Sequence, residues 1–150
     1  GPNEYHKGRM ASVIFHAFRQ IQATGRVRLF RSHHNDYHDG EQCRDFIYVK
    51  DVVSFCDWLI TTKPTSGLYN VGTGKARTFL ALAEAIFTTL DRQPLIDFID
   101  TPLDIRDKYQ YFTQADRQKV LQIAYNAPLY SLEAGVADYV GQYLLHNNYY

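Results

Sequence analysis

The stretch GLYNVGTGKARTFLALAEAIFTTL, residues 67–90, decides the fold class. Leu68, Tyr69 and Val71 have the character of a buried strand, and Gly72 and Gly74 close the run as a turn. Thr78 stands where an N-cap belongs, ahead of the apolar run FLALAEAIFTTL, which reads as a helix. The same alternation recurs along the chain. VRLF (Val27–Phe30), RDFIYV (residues 44–49) and LIDFID (residues 95–100) read as short strands. Residues 10–23 read as an amphipathic helix, with Met10, Val13, Ile14, Ala17, Phe18 and Ile21 on one face and Arg9, Ser12, His16 and Arg19 on the other. Residues 51–60 are apolar on most sides, as a helix covered on more than one face would be, with Asp51 as its N-cap. Residues 104–112 read as irregular, and two amphipathic helices follow, at 116–124 and 131–145, parted at Pro128. Strands alternating with helices predict an α/β protein with parallel strands, although the strands are few and short for a complete doubly wound sheet.

At 150 residues the chain fits one domain with a real core. Its net charge is zero, which argues against general attraction to nucleic acid or acidic membranes. Two cysteines, Cys43 and Cys56, make no disulfide framework, and Cys56 in its apolar run reads as a packed thiol. No apolar run approaches the ~20 residues that span a bilayer, and no signal peptide is present, so a cytoplasmic protein is expected.

NVGTGKAR (residues 70–77) follows a strand and precedes a helix, as a dinucleotide-binding turn does. Gly72 and Gly74 fit G-x-G, but Arg77 occupies the third glycine position, where close packing needs a small residue; a structural turn is the better reading. HHNDYHDGE (residues 33–41) gathers His33, His34, His38, Asp36 and Asp39 without the spacing of a known metal motif, and reads as a solvated loop. Cys43 precedes Arg44 but has no evident base. Singly, Lys7, Arg9, Arg31, Arg44, Arg77 and Lys108 read as solvated surface.

Taken together, GPNE (residues 1–4), HKG (6–8), RDFIYVKDVV (44–53), YNVGTG (69–74) and YFTQAD (111–116) resemble the extended short-chain dehydrogenase/reductase superfamily of nucleotide-sugar epimerases and dehydratases. RDF-x-YV-x-D and N-x-GTG are patterns shared widely in that superfamily. HKG-x-MASV-x-FH (6–16) and YQ-x-FTQAD (109–116) resemble more narrowly its branch acting on an ADP-linked heptose. The resemblance implies that residues 1–150 are the C-terminal half of such an enzyme: the substrate-binding part of the α/β fold, with an incomplete parallel sheet and no complete Rossmann domain. The G-x-G-x-x-G turn and the Y-x-x-x-K pair would lie in the absent half.

The implied reaction inverts C6 of the heptose by transient oxidation with bound NADP, for lipopolysaccharide core synthesis in the cytoplasm. Inversion needs an acid–base group on each side of the carbonyl. The resemblance assigns one to Lys7, which would also touch the cofactor, and a closed apolar pocket would lower its pKa toward neutrality. It assigns substrate contacts to Arg9, His16, Phe30, Arg31, Ser32, His33, Arg44 and Tyr109, with residues 30–33 wrapping the nucleotide and Arg44 on a diphosphate oxygen. It gives a homo-oligomer and no metal. Arg9 departs from the family's usual small hydroxyl residue, and the loop 33–43 is longer than usual. The isolated chain is expected neither to retain NADP nor to turn over, and the apolar faces of the 51–60 and 79–90 helices are expected to be bare or covered by another chain. The alternatives are a fragment of a UDP- or dTDP-sugar epimerase or dehydratase, and a binding module without catalysis.

Overall fold

Ser12 starts the first helix, α1 (Val13–Thr24), by accepting the Phe15 N–H on its hydroxyl at 3.2 Å. Gly25, at φ +73°, ends it in the left-handed conformation that glycine tolerates best. The chain then enters β1 (Val27–Phe30), as the sequence predicts to the residue. The computed structural model describes residues 1–148. Its remaining elements are β2 (Cys43–Arg44), α2 (Val49–Thr62), β3 (Arg77–Thr78), α3 (Phe79–Thr89), β4 (Ile96–Ile99), α4 (Leu103–Arg106), α5 (Gln118–Gln122) and α6 (Leu132–Asp138). A 3-10 segment (Tyr5–Met10) precedes α1, and a π-helical turn (Tyr139–Leu144) continues α6.

The α/β expectation holds. β1 and β4 pair in parallel, from Val27 against Ile96 to Phe30 against Ile99. β2 and β3 form a separate antiparallel pair, so the parallel sheet has two strands among the described residues. The core sits where α1, α3, α6 and β1 meet: Ile21, Leu82, Ile86, Phe87, Tyr139 and Val140 are all buried there. Burying each of these large side chains stabilises the fold by roughly 1.5–3 kcal/mol.

Several expected elements come out differently. Residues 67–76 make no strand, and the turn after the expected strand is held by the Asp45 carboxylate, which takes the amides of Thr73 and Gly74. The strand expected across 44–49 stops at Arg44, and α2 begins at Val49. Asp51 is therefore not the N-cap. It sits inside the first turn, buried, and accepts the Tyr130 N–H at 3.3 Å; burial raises its pKa above the usual carboxylate value. The helix expected at 116–124 shortens to α5, with Ala124 at φ +63°. Residues 104–112 are irregular as expected, apart from the turn of α4. Met10 is not on the buried face: Gly8, at φ +51°, breaks the helical path ahead of Ser12 and leaves Met10 exposed.

The two apolar helices differ. α3 was expected to show a bare face, but Leu82, Ala83, Ala85, Ile86 and Phe87 are buried, covered by this chain's own α1 and α6. α2 buries Phe55 against Tyr125, ring centres 4.8 Å apart, in a satellite cluster with Val120. Its other face exposes Val49, Val53 and Ile60, and Cys56 lies there too, exposed rather than packed. Among the described residues, no helix is long and apolar enough to cross a membrane.

Candidate functional site

Beside β1 a cleft of about 310 Å³ opens, lined by His16, Gln20, Arg28, Phe30, Arg44 and Tyr109 among others. Each comes from a different local rule. His16 and Gln20 are one turn apart on the polar face of α1. Arg28 and Phe30 share one face of β1, while Val27 and Leu29 point into the core. Arg44 ends β2, and Tyr109 lies in the segment after α4. Among the described residues, no carboxylate lines the cleft.

Arg44 is held by rings. Its guanidinium carbon lies 5.6 Å from the centre of Phe79 and 5.4 Å from the centre of Tyr109. Nη1 donates to the Cys43 carbonyl at 2.8 Å. A guanidinium carries five N–H donors, so most of Arg44's remain for a ligand. Tyr109 packs edge-on to Phe30 at 6.0 Å. Burial pushes the Tyr109 phenol above its ordinary pKa, with the Arg44 charge pulling it partly back, so at neutral pH it is an uncharged donor.

Behind this wall the backbone is clamped. The buried Gln42 donates from Nε2 to the Phe30 carbonyl at 3.2 Å, and its own carbonyl accepts the Phe79 N–H at 3.1 Å. Cys43 exchanges hydrogen bonds with the chain beyond Tyr109: its N–H donates to the Tyr111 carbonyl at 2.8 Å, and its carbonyl accepts from Thr113 at 3.2 Å. The buried Thr101 donates its hydroxyl to the Arg31 carbonyl at 3.1 Å.

Asp45 ties the glycine turn to this frame. Its carboxylate accepts from the Thr73 hydroxyl (2.5 Å) and from the N–H groups of Thr73 (2.8 Å), Gly74 (2.9 Å) and Ala115 (3.0 Å). Burial works to raise its pKa; the Thr73 hydroxyl and the three amides outweigh it and hold the carboxyl below its ordinary value. A Cβ at Gly72 would collide with Ala115 and the Asp45 carboxylate, so glycine is required for this approach. The turn is structural, as the sequence indicated.

The N-x-GTG turn does not fit the diphosphate of a nicotinamide dinucleotide. Its Thr73 and Gly74 N–H groups are spent on the Asp45 carboxylate, and Arg77, at the third glycine position, pairs with Glu133 at 2.5 Å.

Of the nine residues the resemblance marks, the cleft brings together His16, Phe30, Arg44 and Tyr109. Arg31, Ser32 and His33 instead tie down the following loop. The Arg31 N–H donates to Ile99 at 2.8 Å, that of Ser32 to Asp39 at 2.8 Å, and that of His33 to the Tyr111 hydroxyl at 2.9 Å. Lys7 and Arg9 lie exposed in the 3-10 segment, outside the cleft lining; the closed pocket expected around Lys7 is not formed by the described residues. The histidine-rich loop makes no metal-binding group among the described residues. Gln20, Arg28 and Gln42 were not expected at the site. The period of two along VRLF puts Arg28 on the face of Phe30, a signal that was there to read.

The fold is similar to that of nucleotide-sugar epimerases and dehydratases of the extended short-chain dehydrogenase/reductase type. Residues 1–72 match the family described as the NAD dependent epimerase/dehydratase family. The structure superposes on a UDP-N-acetylglucosamine 4-epimerase from Methanobrevibacter ruminantium with a TM-score of 0.76, over 97% of this chain and 43% of that one, at 22% identity, a likeness of fold alone. More particularly, the chain is homologous to ADP-L-glycero-D-manno-heptose-6-epimerases. It is 45% identical to the one from Fusobacterium nucleatum over 100% of its own length and 47% of the relative's, and 52% identical to the one from Nitratidesulfovibrio vulgaris (strain DP4) over 96% and 45%. The crystal structure of the Helicobacter pylori enzyme of the same name matches with a TM-score of 0.74 and 30% identity, over 95% of this chain and 40% of that one. The chain thus spans about half the length of the curated relatives it matches.

Proposed function

We propose that this chain is the substrate-binding, C-terminal half of a cytoplasmic, homo-oligomeric epimerase that inverts C6 of ADP-D-glycero-D-manno-heptose for lipopolysaccharide core synthesis. One observation carries the reading: His16, Phe30, Arg44 and Tyr109, supplied by four separate segments and all marked for substrate by the resemblance, line a single cleft. In this proposal Arg44 takes the diphosphate with the donors the protein leaves unused. Phe30 and Tyr109 give the nucleotide an apolar wall, and His16 offers a hydrogen bond from α1. Arg31, Ser32 and His33 hold the rim loop, and Arg9 is a weaker substrate contact at the exposed start of the chain. NADP, the hydride carrier of the proposed enzyme, finds no diphosphate cradle among the described residues, so the isolated chain neither retains it nor turns over.

Lys7 is the proposed acid–base group on one face of the reacting carbon. It is exposed here, so the role requires a covering surface from the rest of the enzyme. A form with the full length of the relatives, carrying these residues, is expected to epimerise ADP-heptose, while the 150-residue chain gives only the blank rate. In that longer form Lys7→Met should lower turnover roughly 10²-fold or more with bound cofactor retained. Near-normal turnover would remove Lys7 from the mechanism. Turnover of a UDP- or dTDP-sugar in place of ADP-heptose would overturn the substrate assignment.

A further inference from the structure

Arg28 holds only a share of its natural partner: its charge acts on the Asp97 carboxylate without a hydrogen bond. Its in-register neighbour across the parallel pair is Asp97. That carboxylate is hydrogen-bonded by Arg26 instead, through Nε at 2.7 Å and through Nη2. The Arg28 guanidinium makes no hydrogen bond among the described residues. Its root is nevertheless fixed: the Arg28 N–H donates to the Gln20 side-chain carbonyl at 3.1 Å, which ties β1 to α1. Alternation along β1 puts it on the same face as Phe30, at the wall of the cleft.

Arg28, Arg44 and His16 therefore line one cleft with no carboxylate in its lining among the described residues, although Asp97 stands in register beside Arg28, in a chain whose net charge is zero. Such one-sided charge in a concave, partly apolar site selects anions. Arg44 is immobilised between two rings and reaches in from β2, whereas Arg28 reaches in from β1. Two cations from different strands suit a ligand with two adjacent anionic groups.

We propose that Arg28 is a second diphosphate-binding residue, acting with Arg44 to make the cleft prefer nucleoside diphosphates over nucleosides. The inference rests on the nucleotide-binding reading of the cleft and adds the residue that divides the charge with Arg44. In calorimetric titrations of the chain with ADP and with adenosine, Arg28→Gln should weaken ADP binding roughly tenfold and change adenosine binding less than about twofold. Arg28→Lys should recover most of the ADP affinity, because the charge is kept. Arg26→Gln, which frees the Asp97 carboxylate for Arg28, should weaken ADP binding in the same direction and leave adenosine binding unchanged. No ADP binding by the unsubstituted chain would overturn the nucleotide reading and the inference with it. ADP binding that survives Arg28→Gln unchanged would overturn the inference alone. So would an equal loss of adenosine binding, which would make Arg28 a packing residue.

Discussion

Glu4 and Arg44 are both charged side chains held within the protein, and they are held in opposite ways. Glu4 is almost wholly buried and saturated. Its carboxylate accepts from the Ser12 N–H, from the Ser12 hydroxyl at 2.6 Å and from the Tyr139 hydroxyl at 2.7 Å. Arg44 is half-buried and rigid, yet it spends one donor on the protein and offers the rest to the cleft. A charge whose partners are all internal holds the fold together; a charge fixed in place with its partners missing is poised for a ligand. The Glu4 cluster ties the start of the chain to α1 and to the end of α6, and it stands apart from the cleft around Arg44.

The comparison is sharpest in variants that separate stability from binding. Glu4→Gln should have the largest effect. It leaves Tyr139 and Ser12 facing a neutral amide in a buried site and should cost about 3 kcal/mol, read as a fall in Tm of roughly 10 °C. A change below about 3 °C would mean that the cluster is dispensable. Asp45→Asn comes next. It removes the charge and turns an amide donor toward the N–H groups of Thr73, Gly74 and Ala115, for about 2 kcal/mol in denaturant unfolding, with a weaker frame around Arg44. An Asp45→Asn chain as stable as its parent would show that the turn holds itself.

Acid should act through the same two carboxylates. Burial works to raise the Glu4 pKa, but the bonds from Ser12 and Tyr139 outweigh it, and the folded-state value lies below the ordinary one, as it does for Asp45. A carboxyl with a depressed folded value contributes its stability above the unfolded pKa, near 4, and loses it as pH falls through the folded value. Tm should therefore hold between about pH 7 and 5 and fall below about pH 4. The fall should be shallower in Glu4→Gln, and an equal slope in both proteins would exclude Glu4 as a source. The smallest effect belongs to the bare face of α2. Ile60→Lys should change stability by no more than about 0.5 kcal/mol, whereas a loss of 2 kcal/mol would mean that this face is covered.

What the sequence disclosed follows the range of the interactions. β1 and the Thr78 cap are local, and they stand where the sequence puts them. α2 and α3 read alike as apolar runs, but periodicity cannot say which neighbour arrives: α3 is covered by α1 and α6, and α2 is left half bare. The strand expected before Gly72 does not form, and the turn after it is held by Asp45, far away in sequence. At the site, His16, Phe30, Arg44 and Tyr109 were legible only through resemblance. Arg28 acquires its meaning from Arg26 taking Asp97, and Gln42 from the Phe30 carbonyl above it; both are tertiary facts.

The central claim is that the Arg44 cleft binds the diphosphate of a nucleotide sugar, and titration of ADP into the chain and into Arg44→Ala tests it most directly. Loss of charge-assisted contacts worth about 1.5–3 kcal/mol should weaken ADP by roughly 10- to 100-fold. Tm should change by less than about 3 °C, because the charge has few partners within the protein. Equal ADP affinity in the two proteins, or an affinity lost only together with the fold, would contradict the account.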